Sequence, residues 1–174
     1  MNLIQIKNGG DYMTLCDEFV KNVQREVENN SMYVWGGQGE LMETLSPKQL
    51  ERMETSKKNV QRILIHLSEV YNSETGLKNV RVFDCSGLIT YHLMKLGILR
   101  SDTTANGLYK WCKPITKKEL RAGDLVFKVS EGKAVHVALF AGDHLVEAVG
   151  RDEGVKNTEL TTKFNKYGRI PAFV

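Results

Sequence analysis

Hydrophobic residues fall at helical spacing in three stretches of the chain and in strand-like runs across its C-terminal third. Between Asp11 and Asn29, Tyr12, Leu15, Cys16, Phe19, Val20, Val23 and Val27 form one apolar face that ends at Asn29-Asn30, which predicts a core-packed helix. Further on, Ser46-Pro47-Lys48-Gln49 supplies an N-cap, a proline at the first helical position and a capping-box glutamine. Leu50, Met53, Val60, Leu64, Leu67 and Tyr71 then mark a helical stripe, one helix or, if the polar stretch Glu54 to Asn59 splits it, two. The third stretch starts at Ser86: Leu88, Ile89, Leu93 and Leu96 repeat at helical spacing and Gly97 provides a C-terminal stop.

The strand-like runs are Gly123-Asp124-Leu125-Val126-Phe127, Ala134 to Phe140 and Leu145 to Val149, with Tyr167 to Val174 expected as a closing edge strand. Gly142-Asp143 between the second and third runs reads as a two-residue hairpin turn. That turn pairs Ala141 with His144, Leu139 with Val146 and Ala138 with Glu147. Side chains alternate along a strand, so His136 and Glu147 become diagonal neighbours on one face, and His144 falls on the other, exposed at the turn. A three-residue loop would reverse this parity.

Register gives these residues chemical meaning. Cys85, in Phe83-Asp84-Cys85-Ser86-Gly87-Leu88, stands where a turn enters the third helix. Free backbone N–H groups and the helix dipole at such a point favour a thiolate. The plainer reading of that position is a small buried packing residue. A thiolate needs a base, and His136 is the candidate. A carboxylate from Glu147 that accepts the Nδ1 proton would fix the ring's tautomer. Glu147 otherwise reads as a solvated strand residue paired with a lysine. His66 reads as a partly exposed helix residue, and His92, on the Cys85 helix, as a hydrogen-bonded core histidine rather than a second base.

Taken together, Asp84-Cys85-Ser86-Gly87-Leu88, Gly123-Asp124-Leu125-Val126-Phe127 and His136-Val137-Ala138-Leu139-Phe140-Ala141-Gly142 resemble the NlpC/P60 family of cell-wall cysteine peptidases. Tyr33-Val34-Trp35-Gly36-Gly37 resembles the family's aromatic-glycine motif, while Thr103-Thr104-Ala105 and Lys117-Lys118-Glu119-Leu120 resemble the link into the Gly-Asp strand. The resemblance implies a papain-like α+β fold with the nucleophile's helix packed on an antiparallel sheet. It implies Cys85 as nucleophile, His136 as proton shuttle and Glu147 in the third position of a triad. It further implies a substrate site of Tyr33, Trp35, Asp84 and Ser86 that receives a peptidoglycan stem peptide, cleaved after γ-D-glutamyl. No metal or other cofactor is required, and no H-E-x-x-H, C-x-x-C or ligand-spaced histidine pair is present.

Two features depart from the family pattern. The span of about residues 40–80, where relatives have a short link, is a helical insertion: a hairpin on the domain's flank, a wall of the substrate groove, or a docking surface for a phage-tail or larger-chain partner. The other is Glu147 itself, at a position where histidine or a neutral amide is more usual.

Composition changes this picture little. The chain has 174 residues with ordinary apolar and charged fractions, without linker, repeat or low-complexity segment, and is read as one catalytic domain over 1–174. Three cysteines without paired spacing argue against a disulfide framework, and Cys16 and Cys112 read as structural. A net charge of +3 is too small to argue nucleic-acid binding, and no run is long enough to cross a membrane. Met1 to Lys7 lacks the apolar segment of a secretory signal. The expectation is therefore a wall-cutting enzyme released as a bacteriophage lysin, an injected or tail hydrolase, or a domain cut from a longer secreted protein. The competing readings are a papain-like amidase or acyltransferase acting on another γ-glutamyl or acyl compound, and an inactive wall-binding or tail module.

Overall fold

The N-terminal helix starts later than its apolar pattern suggests. The computed structural model describes residues 6–8, 11–74 and 76–174, without the side chains of residues 6–8, 11 and 12. Strands β1 (Ile6–Asn8) and β2 (Asp11–Met13) pair antiparallel, and helix α1 (Leu15–Glu28) begins only after Thr14. The Thr14 hydroxyl accepts the Asp17 N–H at 3.1 Å and the Asp17 carboxylate accepts the Thr14 N–H at 3.0 Å. This capping box sets the boundary that apolar spacing could not, so Asp11 to Met13, expected as helix, is strand. The Tyr12 side chain and the Met1–Gln5 part of the segment read for a secretory signal lie outside the described residues.

Next comes a small sheet of β3 (Met32–Tyr33), β4 (Gln38–Leu41) and β5 (Arg81–Phe83), ordered β3-β5-β4 with β3 parallel and β4 antiparallel to β5. Between β4 and β5 lie α2 (Pro47–Met53) and α3 (Lys57–Tyr71). The Ser46–Gln49 capping box is formed, and the chain breaks from helix at Glu54 before Ser56 caps α3. Met32, Val34, Met42, Leu50, Ile63, Val70, Val80 and Val82 make the core that joins this pair of helices to the small sheet. The buried stripe of α3 thus includes Ile63 and Val70, whereas Leu64 and Tyr71, expected on it, are 44% and 66% exposed. The run Ile63-Leu64-Ile65 offers overlapping helical stripes, and only packing on the sheet selects between them.

Helices α4 (Cys85–Lys95) and α5 (Ala105–Trp111) precede the main sheet, which contains β6 (Lys113–Ile115), β7 (Leu125–Ser130), β8 (Lys133–Phe140), β9 (Leu145–Gly150), β10 (Gly154–Thr158) and β11 (Lys166–Arg169). Its order is β10-β9-β8-β7-β11-β6 and every neighbouring pair is antiparallel. Alternation along the strands splits the core in two. Leu125, Phe127, Val137, Leu139, Val146 and Ala148 pack with Phe19 and Val23 of α1 and Leu88, Ile89 and Leu93 of α4. On the other face Val126, Ala138 and Leu145 pack with Phe164.

The C-terminal stretch is not an edge. β11 lies between β7 and β6, which is the edge strand, and Pro171–Phe173 forms a 3-10 turn. Pro171 cannot donate a ladder hydrogen bond, so the strand stops before it. Asp124, 1% exposed, anchors this arrangement by accepting both Arg169 Nε and Nη2 at 2.8 Å and the Arg121 N–H at 2.8 Å. No helix among the described residues is long and apolar enough to cross a membrane.

Candidate active site

Cys85 occupies the first position of α4 and Asp84 is its N-cap. One Asp84 oxygen, Oδ1, accepts the Gly87 N–H at 2.7 Å and the Ser86 hydroxyl at 3.1 Å, and Oδ2 accepts the Gly36 N–H at 3.1 Å. A single carboxylate therefore starts the helix and ties the aromatic-glycine loop to it. The glycines of both motifs have a steric reason. A Cβ on Gly87 would sit 2.0 Å from the Gly37 carbonyl oxygen, and one on Gly37 would sit 2.9 Å from the Phe83 amide nitrogen. The N–H groups of Cys85 and Ser86, in the first turn, have no carbonyl four residues back within the helix to receive them.

The β8–β9 hairpin has the register expected from its turn: Leu139 pairs with Val146, Phe140 with Leu145, and the Ala141 N–H donates to the His144 carbonyl at 2.8 Å. His136 and Glu147 consequently meet, with Nε2 2.6 Å from Glu147 Oε2. This differs from the sequence reading, in which the carboxylate takes the Nδ1 proton. Here Glu147 holds Nε2, which leaves Nδ1 as the ring nitrogen open to a second partner, and interaction with the Cys85 thiol helps to hold the imidazole charged. The imidazole stacks obliquely on Phe164, with centroids 5.9 Å apart.

Glu147 is 1% exposed, not solvated, yet it does have a lysine partner. Besides His136 it accepts the Thr158 hydroxyl at 2.5 Å and Lys163 Nζ at 3.1 and 3.3 Å. Burial alone would raise its carboxyl, but the hydrogen bonds from His136, Thr158 and Lys163 outweigh it and hold the group down to about 2. Burial likewise disfavours the charged imidazole, and the bonds to Cys85 and Glu147 reverse that, raising His136 to about 9. Thr158 and Lys163 carry no sequence signal, because both lie beyond β9 and the β9–β10 pairing and the following turn bring them back to Glu147.

Tyr33 reaches this region although α2 and α3 separate it from Cys85 in sequence. Its strand runs parallel to β5 with Tyr33 opposite Phe83, two residues before Cys85. Burial, and then the negative charges of Cys85 and Asp84, push its phenol up to about 12, so the hydroxyl remains a neutral donor. Trp35 presents its indole to solvent, 56% exposed. The Trp35 backbone N–H donates to Glu54 Oε1 at 2.9 Å, and Glu54 Oε2 accepts Arg151 Nε and Nη2 at 2.9 and 2.7 Å. The Arg151 guanidinium carbon lies 5.2 Å from the centre of the Tyr33 ring. No sequence signal marked Glu54 or Arg151.

The other histidines and cysteines stand apart from this cluster. His144 is half-buried, held between Asp143 Oδ1 at 2.5 Å and Gln24 Oε1 at 3.0 Å. His92 is buried against Phe83 and Tyr91, and its Nε2 stands 3.3 Å from Glu26 Oε1 without hydrogen-bonding alignment. Burial pushes Cys16 up to about 11 and Cys112 up to about 12, which suits packing rather than attack. Among the described residues no three His, Cys, Asp or Glu side chains gather closely enough to hold a metal ion.

Known proteins resemble this chain in sequence and in fold. The chain is 36% identical over 107 residues to the bifunctional muramidase/DL-endopeptidase CwlT of Bacillus subtilis, covering 57% of this chain and 30% of that protein. It is 42% identical over 65 residues to the murein DD-endopeptidase MepH of Escherichia coli, covering 35% of this chain and 24% of that protein. The chain thus spans less than a third of either curated relative. Among solved structures, RipD of Mycobacterium tuberculosis, described as a non-catalytic NlpC/p60 domain protein adapted to peptidoglycan binding, superposes with a TM-score of 0.58 at 23% identity. That match covers 91% of this chain and 99% of RipD and speaks to the fold alone. The NlpC/P60 family pattern itself extends over residues 29–169, from the end of α1 through β11. By this match across most of its length, the chain belongs to the NlpC/P60 family.

Proposed function

We propose that this chain is a cysteine endopeptidase of bacterial peptidoglycan, cutting a stem-peptide amide bond after γ-D-glutamyl through an acyl-enzyme. The observation that carries this reading is the 2.6 Å pairing of His136 with a fully buried Glu147, on the sheet that packs against α4, whose first residue is Cys85. In the proposed reaction the Cys85 thiolate attacks the scissile carbonyl carbon. The C–N bond then breaks as the His136 imidazolium gives its proton to the leaving amine. Water attacks the resulting thioester while His136 takes up its proton, releasing the carboxylic acid and restoring the thiol. The first-turn N–H groups of α4 and the Tyr33 hydroxyl supply donors for the developing oxyanion. Glu147 keeps the imidazole oriented and favours its charged form.

Asp84 and Ser86 are proposed to line the subsite before the scissile bond, with the exposed Trp35 indole at its rim. Both also serve the helix cap, so their part in binding is carried by lone pairs and protons that the cap leaves over. The two curated relatives are named for different bonds, DL and DD, which makes the bond in this chain a matter for product analysis. The site of action is the cell wall. A papain-like amidase or acyltransferase would share the acyl-enzyme and differ only in substrate.

The reading is tested with a soluble stem peptide containing γ-D-glutamyl linked to a diamino acid. Rapid quenching and intact-protein mass spectrometry are expected to show an adduct of the acyl half on wild type and none on Cys85→Ala, with turnover lost in His136→Ala. Turnover that survives Cys85→Ala, or no adduct and no product with wild type, overturns it.

A further inference from the structure

The insertion reaches the site through one buried carboxylate. Glu54, at the break between α2 and α3, has a fully buried side chain whose described hydrogen bonds go to the aromatic-glycine loop and to the turn between β9 and β10. Its Oε1 fixes the Trp35 N–H and its Oε2 grips Arg151 in the turn between β9 and β10. The neighbouring Asp152 is held by the insertion as well, accepting Arg62 Nε at 2.8 Å and Nη2 at 2.5 Å from α3. That second pair is exposed and adds little by itself, but it makes the turn doubly attached. Arg151, with 17% of its side chain exposed, then lies over the face of Tyr33, whose strand leads alongside β5 to the nucleophile.

A guanidinium held by a buried carboxylate cannot swing away, so the ring beneath it has a fixed lid. The phenol gains as well as the ring, because the cation favours electron density on the aromatic face and oxygen. Pairing with Glu54 makes Arg151 a poor receptor for a substrate carboxylate, since its charge is already compensated. Its use is therefore to set Tyr33.

We propose that Glu54, supplied by the insertion, is a positioning residue that acts through Arg151 to hold the Tyr33 hydroxyl for the reaction at Cys85. The insertion is thus a working wall of the site, not a flank decoration. This rests on the endopeptidase reading above and adds to it a specific residue chain, Glu54 to Arg151 to Tyr33.

The test is a double-mutant cycle on the full chain with the soluble stem peptide, with kcat counted per Cys85 that reacts with iodoacetamide. Arg151→Met is expected to lower kcat about tenfold in the wild-type background, with KM changed less than about twofold. In a Tyr33→Phe background the same substitution is expected to change kcat less than about twofold, because the hydroxyl it serves is already gone. Glu54→Gln, which keeps an oxygen for Trp35 but not the charge, is expected to follow the same pattern. If Arg151→Met fails to fold, Arg151→Lys, which keeps the charge but loses the two-pronged grip, takes its place. Equal losses in both backgrounds, or no loss in either, overturn the positioning role while leaving the endopeptidase reading intact. Inactive wild type would instead defeat that underlying reading.

Discussion

Replacing Glu147 is the sharpest probe of the His136 environment. The imidazole is raised from 6.5 to about 9, although burial works against its charge, and a rise of that size is worth about 3 kcal/mol. Cys85 and Glu147 share the credit. Glu147→Gln keeps an oxygen that can accept from Nε2 but removes the charge, and it turns an amide N–H toward either Lys163 or Thr158, both of which now donate to the carboxylate. Losing a charge-assisted hydrogen bond of about 1.5 to 3 kcal/mol predicts a fall in kcat/KM of roughly 10- to 100-fold at neutral pH. The basic limb of the pH profile, set near pH 9 by loss of the imidazolium proton, should move down by about one to two units. Glu147→Ala should cost more, on the order of 10²- to 10³-fold, since it also strands the ring N–H and the Lys163 charge. The assay is kcat/KM on the soluble stem peptide from pH 5 to 10, with thermal unfolding followed in parallel to separate loss of fold from loss of rate. Wild-type kcat/KM in Glu147→Ala, or an unmoved basic limb in either variant, would refute the reasoning.

Lys163→Met removes a cation that offsets the Glu147 charge, so the imidazolium should be held more strongly and the basic limb should rise by roughly half a unit, a modest amount because Lys163 is 43% exposed; a downward shift in the same profile would contradict this. Gly87→Ala drives a methyl to 2.0 Å from the Gly37 carbonyl, and a loss of about 1–3 kcal/mol by denaturant unfolding, with at least a tenfold drop in kcat/KM, is expected; unchanged stability and rate would mean that α4 and the aromatic-glycine loop do not need their close approach. His144→Ala removes described side-chain hydrogen bonds to Asp143 and Gln24, so kcat/KM is expected to stay within about twofold, and a large loss would place His144 in the proton path.

What could be read from the sequence was what local chemistry decides. The Ser46 capping box, the stop after α4 and the Gly142-Asp143 turn each depend on neighbours in the chain, and the turn alone fixed which strand residues face each other. Apolar spacing alone misplaces the start of α1, because it continues back to Tyr12 and passes over the Thr14–Asp17 box at which the helix begins. The stripe of α3 is ambiguous in the sequence because Leu64 and Ile63 are equally apolar, and their fates differ through the small sheet beneath them. The place of β11 inside the sheet depends on Arg169 finding Asp124, a contact across 45 residues. The same applies to the site. Cys85, His136 and Glu147 lie in recognisable local patterns, but the ring nitrogen that faces Glu147 is set by side-chain direction, not by register. Thr158, Lys163, Glu54 and Arg151 have no local signature, because their roles arise from loops that meet only in the folded chain.

The most direct test of the central claim is digestion of purified peptidoglycan, from both a diaminopimelate-type and a lysine-type wall, by wild type and Cys85→Ala, with the fragments identified by mass spectrometry. The account predicts new fragments ending in γ-D-glutamyl from at least one wall, all of them absent with Cys85→Ala. Walls left intact by wild type, or fragments that persist without the Cys85 thiol, would contradict it.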